Sequence, residues 1–147
     1  MNEPTVYTGG SFDLPHHGHY RLLERAAQFG LVTVSLNLSH FSEQYKGKKL
    51  VMSYEERREI LLACKWVHDV VPNFGGADSK PAIELVKPDY IIVGSDWATK
   101  DYYSQMGFDQ AWLDERGIGL VYVPYTRGIS STDLKNRMDK NVARDKN

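Results

Sequence analysis

The chain has 147 residues, a single cysteine and a formal net charge of -1, with 41% apolar and 25% charged residues. Near-neutrality argues against a general nucleic-acid binder, which needs a strong basic excess, and the lone Cys64 allows no internal disulfide and points to a reducing, cytoplasmic setting. Met1-Asn2-Glu3-Pro4 has no signal-peptide pattern and no stretch nears the ~20 apolar residues of a membrane span, so one soluble domain over residues 1–147 is expected, without membrane insertion.

"TVYTGG" reads as a short buried strand ending in glycines. Behind it, Tyr20, Leu22, Leu23, Ala26, Ala27 and Phe29 form a helical stripe that Gly30 stops. "LVTVSLNL" is a second strand, and "SHFSEQYKGKK" a polar, lysine-rich loop. Ser53 and Glu56 have capping-box spacing, so a helix begins there, with Ile60, Leu61, Leu62 and Cys64 as its buried face. "VHDVVP" is a strand that stops at Pro72. "SKPAIELVKP" is a helix with Pro81 in its first turn, and "DYIIVGSDW" a strand running into a glycine turn. A helical or irregular stretch from Asp101 closes with "QAWLDERG". "GLVYVPY" is the last strand and "SSTDLKNRMDKNV" the last helix, capped by Ser130 or Ser131, with residues 139–147 fraying.

Strand and helix alternate throughout. The pattern predicts an α/β fold: one Rossmann-like, doubly wound parallel sheet of about five strands with helices on both faces. Ligands of such sheets sit beyond the carboxyl ends of the strands, where strand order reverses.

The turn after the first strand, "SFDLPHHGHY", crowds His16, His17 and His19 around Gly18. A helix start presents unpaired amides and a positive dipole end, and so welcomes an anion. Three residues apart, His16 and His19 face the same side once the helix has begun, and His17 points elsewhere. The group reads as a phosphate cradle. Zinc binding is the competing use of His16 and His19, but Cys64 is alone and there is no HExxH or paired-cysteine pattern, so no protein metal site is assigned. Three solvent-facing histidines are the other ordinary reading.

"HHGH" has the form HxGH, follows "GSFD", and is matched near the end of the chain by "TRGISST" at 126–132. Together these motifs resemble the nucleotidylyltransferase superfamily, and within it the glycerol-3-phosphate cytidylyltransferase branch. The first family motif reads GTFDLLHxGH, here Gly10-Ser11-Phe12-Asp13-Leu14-Pro15-His16-His17-Gly18-His19; the second reads RTEGISTT. "LLERA", "SYEER" at 53–57 and "SDW" at 95–97 are also similar, so the likeness runs from residue 5 to about 138.

The resemblance implies that a phosphorylated acceptor attacks the α-phosphorus of a nucleoside triphosphate, and pyrophosphate leaves. The nucleophile is already anionic, so catalysis is mostly positioning plus donors that meet charge as it builds. By resemblance, His16, His19 and Lys46 are catalytic. Gly10, Ser11, Phe12, Lys48, Asp96, Thr126, Gly128, Ile129, Ser130, Ser131 and Thr132 join them around the nucleotide. Lys49 neighbours the two loop lysines. Asp13, Arg57, Lys65 and Trp97 border the acceptor, the ordinary reading of Arg57 and Lys65 being helix-surface charges paired with glutamates. Mg²⁺ arrives with the nucleotide and keeps mostly phosphate and water ligands. A homodimer is also implied.

The chain departs from the family in three places. Tyr125-Thr126-Arg127 stands where Arg-Thr-Glu is usual; in an extended segment residues 125 and 127 face the same way, so Arg127 is expected to replace the displaced arginine. Asn37-Leu38-Ser39 lacks the family aspartate after the second strand. Extra residues follow Trp97, and their aromatics (Tyr102, Tyr103, Phe108, Trp112) read as a local core or a pocket wall, with core favoured. The leading function is CTP-dependent transfer to a small alcohol phosphate such as glycerol 3-phosphate. The alternatives are an ATP-dependent adenylyltransferase acting on a pantetheine-, sugar- or flavin-phosphate, and an inactive nucleotide-binding sensor.

Overall fold

A computed structural model of the chain describes residues 3–40, 49–96 and 102–146, with side chains to residue 141. Five strands form one sheet: β1 (Thr5–Gly10), β2 (Leu31–Asn37), β3 (Val67–Asn73), β4 (Tyr90–Gly94) and β5 (Gly119–Val123). Their order is β3-β2-β1-β4-β5 and every pairing is parallel. The register runs from Thr5 opposite Leu31 to Gly10 opposite Leu36, and from Val6 opposite Tyr90. Strand order therefore reverses between β1 and β4, which opens a crevice above Gly10 and Gly94.

Side chains alternate across the pleat, and the central strands bury both sets. Val6, Val34, Leu36 and Ile92 face α1 (His17–Ala27) and α2 (Tyr54–Leu62), meeting Leu23, Ala26 and Leu61. Tyr7, Ile91 and Val93 face the opposite layer, built from α3 (Lys80–Val86), α4 (Tyr102–Met106) and α5 (Gln110–Glu115). The last helix, α6 (Ser131–Lys146), returns to the α1 side, where the Ser131 hydroxyl donates to Leu14 O at 2.7 Å. Helices thus cover both faces of the sheet, as the alternation predicts. Among the described residues no helix is long and apolar enough to cross a membrane.

Several boundaries differ from the sequence reading. β3 runs through Pro72 to Asn73, with Pro72 opposite Leu36; β3 is an edge strand, where proline is tolerated because one side of the ladder is open. α2 buries Leu61 and Arg57, while Leu62 lies 39% exposed. Gly107 splits the stretch after residue 101 into α4 and α5. The tail expected to fray is helical to Lys146. The aromatics of that stretch pack as core, and Tyr102 is a cavity wall as well: Phe108 stacks on Trp112 at 5.6 Å between centroids, and Tyr102 meets Phe108 edge-on.

Candidate active site

The site begins where β1 ends. Phe12 leaves the strand in the left-handed region (φ 50), a strained conformation for a residue with a Cβ, and turns its ring into the core against His19 at 4.9 Å. α1 then starts with an uncommon cap. The Gly18 amide donates to Nδ1 of His16 (3.1 Å), and the His16 amide donates to Nδ1 of His19 (3.2 Å). This is a reciprocal capping box in which two imidazoles take the places normally held by Ser/Thr and Glu/Gln. The rings stack at 3.7 Å with 20° between planes. His17 is exposed. Gly18 is required by space: a Cβ there would lie 2.9 Å from the His16 ring and 3.2 Å from Ile129.

The cap fixes the chemistry of both rings. With Nδ1 accepting, a neutral imidazole carries its proton on Nε2. Burial pushes the His19 imidazole down to about 3, helped by the charge of His16. Burial also lowers His16, with the charge of His17 contributing. Both rings are therefore neutral at pH 7, and each presents one Nε2–H. The Nε2 of His16, in a residue 7% exposed, has no hydrogen-bond partner among the described residues. An orphaned buried donor is costly unless a ligand completes it.

The His19 ring lines a cavity of about 370 Å³ in the crevice between β1 and β4, and the His16 ring stacks on it. One end is walled by Gly94, Asp96 and Tyr125, and the other by Asn37, Asn73, Ser79 and Met106. His19, Gly10 and Ser11 lie between them on the wall. The Tyr7 phenol is pushed up to about 12 by burial, against hydrogen bonds with Ser35 and Ser79, and so remains an un-ionised hydroxyl. No lysine or arginine lines the cavity among the described residues.

α6 begins beside the histidines. The Asp133 amide donates to Ser130 Oγ (3.0 Å), which makes Ser130 the cap, and Gly128 takes φ +82 in the turn before it. Ile129 packs against Gly18. With the Ser130 and Ser131 hydroxyls engaged, the first-turn amides and the exposed Thr132 are what α6 offers to an anion.

Other candidates have structural partners. Both Asp13 carboxylate oxygens are taken: Oδ2 by the Val51 amide and Lys135 Nζ, Oδ1 by the Met52 amide, at 2.9–3.0 Å. Burial pulls this carboxyl up, but the two amides and the Lys135 ammonium outweigh it and hold the pKa below the usual carboxylate range. Asp13 thus fastens the chain after residue 48 to α6. Arg57 is 1% exposed and donates to the carbonyls of Ser11 (3.0 Å), Asn37 (2.8 Å), Met52 and Ser53 (3.2 Å each) and to Ser39 Oγ (3.1 Å). It braces the ends of β1 and β2, which leaves it little to offer an acceptor phosphate. Lys65 is exposed over the Trp66 ring at 4.8 Å and precedes β3, at the sheet edge opposite the cavity, so the fold does not bring it to the site.

Arg127 sits exposed in the turn with Gly128, whereas Tyr125 lines the cavity. The alternation expected of an extended segment fails because the chain turns at residue 127. Thr126, between them, is half-buried. Lys46, Lys48 and Trp97 lie outside the described residues; Lys49 is exposed. The sequence reading missed Asn73, Tyr7 and Ser79. A polar residue closing each of β2 and β3 was the available signal for the cavity's far end.

Comparison with known proteins bears on the family and the fold. Residues 7–137 match the family model described as cytidylyltransferase-like. The chain is 37% identical over 134 residues to the glycerol-3-phosphate cytidylyltransferase of Bacillus subtilis (strain 168), covering 90% of this chain and 95% of that one. It is 32% identical to the enzyme of the same name from Staphylococcus aureus (strain NCTC 8325 / PS 47), covering 90% and 93%. Among solved structures, the lipopolysaccharide core biosynthesis protein of Thermoplasma volcanium GSS1 shares the fold, with a TM-score of 0.67 at 22% identity over 84% of this chain and 98% of that one.

Proposed function

The chain belongs to the cytidylyltransferase-like family, and from that premise we propose that it transfers the cytidylyl group of CTP to glycerol 3-phosphate, forming CDP-glycerol and pyrophosphate. An oxygen of the acceptor phosphate attacks the α-phosphorus. The bond from that phosphorus to the oxygen bridging to the β-phosphate breaks, and its electrons leave with pyrophosphate. The attacking oxygen is already anionic, so no general base is needed.

The single observation that carries this reading is the histidine capping box. It spends both Nδ1 atoms on the helix start and holds two stacked Nε2–H donors in fixed places, His19 on the cavity wall and His16 behind it. Donors fixed before reaction need no reorganisation as charge builds on the α-phosphate oxygens. The amides opening α6 hold the departing β- and γ-phosphates. The family resemblance assigns Lys46 and Lys48 to the triphosphate, and Asp96 and Tyr125 on the cavity wall border the nucleoside. Mg²⁺ neutralises triphosphate charge when bound. The ion arrives with CTP and keeps mostly phosphate and water as ligands, as is usual for Mg²⁺ on a nucleoside triphosphate. The enzyme acts in the cytoplasm as a homodimer.

Pyrophosphate release, measured with CTP or ATP against a panel of phosphorylated acceptors, tests the reading. Turnover is expected with CTP and glycerol 3-phosphate. The His16→Ala variant should lose about 10²–10³ in kcat, the usual effect of removing one transition-state donor. Preference for ATP, or nucleotide binding without turnover on any acceptor, refutes the proposal in favour of an adenylyltransferase or a binding module.

A further inference from the structure

Three side chains cross the carboxyl ends of β1, β2 and β3 in a directional hydrogen-bonded row. Asn37 Nδ2 donates to Ser11 Oγ (3.0 Å), and Asn73 Nδ2 donates to Asn37 Oδ1 (2.9 Å). Asn73 Nδ2 also donates to Gly76 O (3.1 Å). Both Asn73 amide hydrogens are therefore used on acceptors, which fixes which atom of the group is nitrogen. Its Oδ1 remains: a buried acceptor, in a residue 6% exposed, with no partner among the described residues. Asn73 lines the same cavity as His19. The uncompleted group calls for a ligand donor, and the nearby hydroxyls of Tyr7 and Ser79 give that end of the cavity the same neutral, polar character.

In-line displacement sets which substrate arrives there, because the attacking and leaving oxygens lie on opposite sides of the α-phosphorus. Pyrophosphate leaves toward α6, which follows β5, and the Asn73 row lies across β2 and β3 on the other side of β1. We propose that Asn73 Oδ1 accepts a hydrogen bond from a hydroxyl on the acceptor's carbon chain, and that the Ser11–Asn37–Asn73 row selects phosphorylated polyols over simple alkyl phosphates. This rests on the transfer proposed above. Asn73 reads the part of the acceptor that carries no charge.

The test compares glycerol 3-phosphate with 1-propyl phosphate, which has the same phosphate and carbon count but neither hydroxyl. The wild-type chain should favour glycerol 3-phosphate by at least ~10-fold in kcat/KM, as expected when a buried acceptor is left unpaired. Asn73→Leu should lose most of that preference through the acceptor KM, with the KM for CTP unchanged. Equal use of both acceptors by the wild type overturns the proposal without any variant, and covers the case of Asn73→Leu failing to fold. So does a folded Asn73→Leu that keeps the preference, or one that raises the KM for CTP instead. If CTP is not turned over at all, the activity is wrong, and calorimetric titration with glycerol 3-phosphate decides the role of Asn73. Binding that Asn73→Leu weakens ~10-fold supports the role, and absence of binding to the wild type overturns it.

Discussion

Acidification should destabilise this protein through its capping box before it neutralises Asp13. His19 titrates near pH 3 in the folded chain and near 6.5 when unfolded. The unfolded state therefore binds more protons between those values, and stability falls as pH drops below about 6.5. From pH 7 to pH 5 the loss from His19 alone comes to about 2 kcal/mol, or roughly 4–8 °C in Tm for a chain of this size. His16, shifted the same way, adds to it. Asp13, whose pKa is lowered, loses its stabilising charge only below the unfolded carboxylate range, outside this window. The discriminating variant is His19→Gln: glutamine suits the N3 place of a capping box and does not titrate. Urea unfolding at pH 5, 6 and 7 should show the wild type weakening and His19→Gln weakening by about 2 kcal/mol less. Parallel pH profiles for the two proteins would refute the neutral, Nδ1-accepting assignment on which the catalytic role of the pair rests.

Two further outcomes follow from the placement of the arginines. Arg57→Lys should destabilise by about 2–4 kcal/mol in denaturant titration, because one ammonium cannot span the five acceptors the buried guanidinium now holds. Arg127→Ala should change kcat and the KM for CTP by less than about threefold, as expected of an exposed turn residue away from the cavity wall; a loss of 10-fold or more would restore it as the substitute for the missing family arginine.

Strand–helix alternation in the sequence was enough to yield a doubly wound sheet, because each element carries its own periodic apolar face. The placement of the two motifs was also legible: HxGH sits after a glycine-ended strand, and GISST opens a helix. What stayed hidden depends on long-range closure. Nothing local marks Arg57 as buried, since its partners Ser11 and Asn37 are 46 and 20 residues away. Asp13 has the look of a ligand until Val51, Met52 and Lys135 are folded against it. Lys65 stands just before the amino end of β3, whereas the cavity lies at the strands' carboxyl ends. Period-two reasoning misplaced Arg127 by assuming an extended chain where there is a turn.

The strand order also shapes how the chain comes off the ribosome. β1 is made first yet lies in the middle of the sheet, and its second neighbour, β4, starts at Tyr90. At ~5–20 residues per second, one flank of the first strand waits several seconds for its mate. The lid on the histidine turn comes later still, when Ser131 reaches back across 117 positions to Leu14. An interrupted translation product that ends before α6 would hold all five strands and the cavity's lining residues but leave the histidine turn uncovered, a species suited to chaperone capture and degradation.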